Sequence, residues 1–79
     1  MSHTPHELAA EFPDKVAVIS ALKASDRRFA RLTERYHEVN RAVHRAEVNA
    51  EPISQEAETI LRKKRAALKD EIWSILSAA

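Results

Sequence analysis

The chain has 79 residues, about half the length of a typical domain and room for a single structural unit. Lys and Arg number 13 against 12 Asp and Glu, a net charge of +1, and there is neither glycine nor cysteine. Those absences exclude a disulfide framework, a cysteine-ligated zinc and a thiol nucleophile. They also exclude the glycine loops that bring backbone against phosphate in nucleotide-binding proteins.

Met1 to His6 has neither a basic n-region nor an apolar h-region, so a cytoplasmic protein is expected. No apolar run approaches the ~20 residues of a membrane span, and no membrane association is expected. In Thr4-Pro5-His6-Glu7, Thr suits a cap, Pro the first helical position and Glu the third, which predicts a helix start. Pro13 disfavours helix at Phe12 and restarts it, with Asp14 in the new first turn. Val16, Ile19 and Leu22 then form the apolar face of a short helix. Residues 4–24 therefore read as one or two short N-terminal helices.

Ser25-Asp26 reads as a break before the strongest pattern in the chain. Phe29, Leu32, Tyr36, Val39, Val43 and Ala46 are spaced 3, 4, 3, 4 and 3 apart, a heptad seam that predicts a helix over 26–48. Asn49 takes the place of the missing glycine as a left-handed stop, and Pro52 confirms the end. Ser54 caps a last helix over 54–77, whose seam runs Ala57, Leu61, Lys64 or Arg65, Leu68, Ile72 and Ile75. So short a connection makes the two long helices antiparallel. The expected fold is all-α: an antiparallel helical hairpin of coiled-coil type behind one or two short helices, one unit over 1–79. Pairing two such helices barely offsets the entropy of ordering so short a chain. Hence either helix 14–24 folds over the hairpin, or hairpins assemble into a helical bundle.

The run Phe12-Pro13, Ile19, Leu22-Lys23, Asp26, Phe29, Leu32, Tyr36, Val39, Arg45 and Glu47 resembles the bacterial YdcH family. So does Leu61-Arg62-Lys63-Lys64 through Leu68-Lys69-Asp70-Glu71-Ile72, in which Leu-Lys-Asp-Glu before an apolar residue is the most distinctive piece. The resemblance spans roughly residues 5 to 77. It implies a small helical-hairpin protein of the bacterial cytoplasm with an unestablished biochemical role and no assigned catalytic residues. The loop at 49–53 departs from members that carry glycine there.

Several groups are candidates for function. The expected hairpin seam is Phe29, Leu32, Tyr36, Val39, Val43, Leu61, Leu68, Ile72 and Ile75. Trp73 lies off that seam, and with Leu76 it makes the C-terminal apolar face wider than one partner helix needs, which points to an assembly or partner face. Lys69, Asp70 and Glu71 are polar where a hairpin core requires nothing polar. They are expected to set register through an ion pair with an arginine of helix 26–48. Arg27, Arg31 and Arg35 recur every four residues, with Arg28 adjacent; together with Lys63 they are the alternative, a nucleic-acid contact ridge. A net charge of +1 weighs against that alternative. Pairs such as Glu58 with Arg62, and Arg65 with Asp70, are expected along the last helix. His37 and His44 lie seven apart beside arginine, a poor metal arrangement. The reading is of a non-catalytic structural or interaction protein that forms a homo-oligomer or binds a protein partner, with no cofactor, metal or catalytic residues.

Overall fold

The computed structural model describes residues 6–48 and 53–78. Helix α1 covers Leu8–Glu11, a 3-10 turn Pro13–Lys15, α2 Val16–Ser25, α3 Arg27–Glu47 and α4 Gln55–Ala78. The fold is all-α, and α3 and α4 pack against each other as an antiparallel hairpin. None of the described helices is long and apolar enough to cross a membrane.

Local chemistry sets the boundaries. Asp26 closes α2 by donating its backbone N–H to Leu22 O at 2.8 Å and opens α3 by accepting Ala30 N at 3.0 Å. Its carboxylate accepts from the backbone N–H groups of Arg28 at 2.9 Å and Phe29 at 3.2 Å, two donors that otherwise lack a partner at a helix N-terminus. A one-residue hinge results, and it folds α2 back along α3. Ser54 caps α4 in the same way, its hydroxyl accepting Ala57 N at 3.1 Å.

The N-terminus differs from expectation. Thr4 and Pro5 lie outside the described residues, as do Asn49 and Pro52 of the expected loop. Glu7 is not inside a first turn but occupies the cap position with extended backbone, φ −61° and ψ 150°. His6 adopts φ 62°, left-handed backbone that no helix continues through, so α1 begins only at Leu8.

The core lies at the open end of the hairpin. Leu8 and Ile19 join Phe29 and Tyr36 of α3 and Ile72 and Leu76 of α4, with Phe12, Val18, Leu22, Leu32 and Leu68 packed around them. The buried stripe of α3 is Phe29, Thr33, Tyr36, Asn40 and Val43. Leu32 and Val39, expected at the seam centre, are half-buried instead. At 100° per residue they sit roughly 60–80° round the helix from Phe29. The reason is that α3 is covered from two sides. The N-terminal elements and α4 share it between them, so its buried face is centred between the two coverings. Helix α4 shows the same offset: Ile72 and Leu76 are fully buried, Leu61 and Leu68 half-buried, and Ile75 is 37% exposed. Ile75 therefore leaves the expected seam. Leu76, expected on an outward assembly face, belongs to the chain's own core.

Replacing Leu76 with Ala should destabilise the fold by about 2–5 kcal/mol, as for a fully buried aliphatic side chain, whereas Ile75→Ala should cost under about 1 kcal/mol. Urea unfolding of the two variants checks this, and the reverse order would restore the simple heptad seam.

Candidate interaction surface

The two sides of the hairpin are chemically different. On one side the N-terminal segment is fastened down. The buried Tyr36 hydroxyl donates to the backbone carbonyl of His6 at 2.6 Å, so a phenol that costs free energy to bury unpaired is satisfied. Glu11 accepts from His6 Nδ1 at 2.9 Å and from Lys69 Nζ at 3.1 Å. Glu7 pairs with His37 Nδ1 of α3 at 3.1 Å. Phe12 stacks on Trp73 with centroids 5.6 Å apart and rings within 11° of parallel, and Lys69 Nζ stands 5.8 Å from the Phe12 centroid.

These contacts move two titrations. The His6 hydrogen bond holds the Glu11 carboxyl below its ordinary value; desolvation opposes it, and the Lys69 ammonium reinforces it. Desolvation pushes the Tyr36 phenol up to about 12, aided by the negative charges of Glu11 and Glu7 and opposed by Arg65. Tyr36 is thus a neutral donor throughout the physiological range.

The expected ion pairs are rearranged accordingly. Lys69 pairs with Glu11 of α1 and not with an arginine of α3, while Asp70 and Glu71 are exposed and form no ion pair with another described residue. Glu58 does bind Arg62 at 3.2 Å, and Arg62 also reaches Glu47 at 3.1 Å, which ties the loop end of α3 to α4. Arg65, expected to meet Asp70, instead donates to Asn40 Oδ1 at 3.2 Å. Asn40 is buried on α3, so this contact crosses the hairpin at one level. A buried amide bonded across the hairpin penalises a slip of the helices. The register-setting contact is therefore Asn40 with Arg65, in place of the Lys69-Asp70-Glu71 triplet. Neither Asn40 nor the buried Thr33, whose hydroxyl donates to Ala30 O at 2.7 Å, stands out in a sequence scanned for apolar periodicity.

The other side of the hairpin is open. Leu32 and Val39 of α3, half-buried, line a shallow groove with Leu68 and the exposed Ile75 of α4. Arg28, Arg31 and Arg35 flank it on α3, and Lys64 and Glu71 on α4. Of the arginine ridge, Arg27 is exposed and lines no part of this groove, and Lys63 is likewise exposed and outside it. Trp73 faces the opposite side, where Phe12 covers it only in part and leaves it 47% exposed. It is the turn after α1, not α2, that supplies this cover. Trp73 and Ile75 thus point to opposite flanks, and Leu76 between them points inward.

The sequence model of a family described as a protein of unknown function, DUF465, matches residues 29–76. The chain belongs to this family. The resemblance to the YdcH family read from the sequence is consistent with that membership. The matched segment starts in the first turn of α3 and ends near the end of α4. It contains the whole groove floor and the Asn40–Arg65 contact, while α1 and α2 lie outside it. No curated protein and no solved structure matches the chain.

The lowered Glu11 pKa has a definite sign. Its stabilisation is fully present above the unfolded value of 4.5 and is lost as pH falls through the lower folded value. Trp73, the sole tryptophan, reports on this contact through Phe12. Its emission should change on acidification below pH 4.5 in the native protein. In Glu11→Gln the same change should be present in part at neutral pH and respond less to acid; an unchanged acid response would separate Glu11 from the N-terminal fastening.

Proposed function

We propose that the protein is a non-catalytic interaction module of the bacterial cytoplasm whose hairpin accepts a further α-helix, supplied by another polypeptide, along its open face. One observation carries this reading. Leu32, Val39, Leu68 and Ile75 make an apolar strip on both helices of the hairpin, on the side away from the N-terminal cover. A groove between two packed helices is the natural seat for the apolar face of a third, because ridges at three- and four-residue spacing interlock. The strip runs from the level of Arg28 to that of Val39, roughly 17 Å of helix or three turns. Assembly through this face is the form that heptad pairing takes once the N-terminal segment has claimed the other.

The nucleic-acid alternative has Arg28, Arg31 and Arg35 in its favour. It gives no role to the apolar strip between them and α4, and the chain's net charge is only +1.

The test is a titration of isotope-labelled protein with a synthetic amphipathic peptide of about four turns, leucines on one face and glutamines on the rest, followed by backbone NMR. Shifts should concentrate around Leu32, Val39, Leu68 and Ile75 and spare α2. Ile75→Glu, at an exposed position, should weaken the binding without altering the circular dichroism. Shifts scattered over α2, or none at any peptide concentration together with a groove that also stays unchanged in a protein concentration series, would sink the reading.

A further inference from the structure

The charges around the groove go further than its shape. Arg28, Arg31, Arg35 and Lys64 form no ion pair with another described residue. Other surface charges are unpaired among the described residues too, among them Lys15, Lys23, Arg27, Arg41 and Lys63, but these line no part of the groove. The groove cations stand along both rims of the apolar strip, three on α3 and one on α4. Three carboxylates border the groove as well. Asp26 is engaged with the first amides of α3, where its charge is offset by the positive end of the helix dipole. Glu38 and Glu71 remain, two carboxylates against four cations.

From this we infer that the groove is a docking site for an acidic amphipathic helix of a different protein, its apolar face on Leu32, Val39, Leu68 and Ile75 and its flanking carboxylates against Arg28, Arg31, Arg35 and Lys64. The inference rests on the helix-docking reading above and adds the chemistry of the occupant. Guanidinium groups bind carboxylates in bidentate geometry, and partial desolvation beside an apolar strip strengthens such contacts. A second copy of this chain docking groove to groove would bring the same excess of cations and meet like charge. A nucleic-acid backbone would match the arginines and leave the apolar strip without a partner.

The experiment compares three peptides with identical leucine spacing and flanks of glutamate, glutamine or lysine, together with a duplex of about 30 base pairs, all against the full chain. The glutamate peptide should bind at least about tenfold more tightly than the lysine peptide at low salt, with the gap closing as salt is raised. Charge reversal at two exposed positions, Arg31→Glu with Arg35→Glu, should invert that order while circular dichroism stays unchanged. Equal binding of all three peptides would overturn the inference and leave helix docking standing. No binding of any peptide, with no self-association through the groove, would overturn both. Groove shifts that grow with protein concentration alone, with a matching dimer in sedimentation velocity, would make the occupant a second copy. Tighter, steeply salt-dependent binding to the duplex would make it nucleic acid. Either result would overturn the acidic-helix assignment.

Discussion

The hydrogen bond from the buried Tyr36 hydroxyl to the His6 carbonyl is the contact on which the arrangement turns. Tyr36 lies mid-way along α3, fully buried, and its phenol must find an acceptor or bear the cost of desolvation. The acceptor comes from the segment before α1, so satisfying one side-chain group brings the N-terminus over the hairpin. Leu8 and Ile19 then join the core, and Phe12 reaches Trp73. A chain too short to be held by two helices alone acquires a third layer of contacts.

That closure makes the molecule asymmetric. The covered side is held by matched charges, Glu7 with His37 and Glu11 with His6 and Lys69. The other side keeps a shallow apolar strip and cations that no described residue neutralises. Between the two, Asn40 and Arg65 hold α3 and α4 at one register, so the strip from Leu32 to Ile75 is presented as a single surface. The family match covers the hairpin and not its N-terminal cover. The apolar floor of the groove accordingly comes from the segment that defines the family, and the fastening around Tyr36 is completed by residues outside it.

Helix boundaries were legible in the sequence wherever a local group acts on its own neighbours. Asp26 and Ser54 cap the amides two or three positions on whatever the rest of the chain does, and Pro13 restarts the chain for steric reasons alone. The heptad spacing of Phe29, Tyr36 and Val43 identified α3, and the sharing of a long seam with α4 followed from the short connection. The same spacing put Leu32 and Val39 at the seam centre, whereas they are half-buried at its edge, because a heptad count assumes one partner helix and α3 has two coverings; on α4 it put the exposed Ile75 at the seam where Leu76 is buried. Thr33 and Asn40 escaped notice for a related reason: they are polar residues on the buried stripe, and apolar periodicity is blind to them.

The sequence by itself determined an all-α hairpin with short leading helices, since caps, breaks and period act over a few residues and need no distant partner. It also carried the family resemblance and the exclusion of glycine- and cysteine-dependent chemistry, which are matters of composition and order. Only the tertiary structure decided which face of each helix is inside. It turned Leu76 inward and Ile75 outward, gave Lys69 to Glu11 across 58 positions of sequence, and separated Trp73 from the groove that Arg28, Arg31 and Arg35 border. Those outcomes depend on where the N-terminal segment lies, and that is fixed jointly by the burial of Leu8 and Ile19 and by a buried hydroxyl that donates to a carbonyl 30 residues away, contacts that no local pattern encodes.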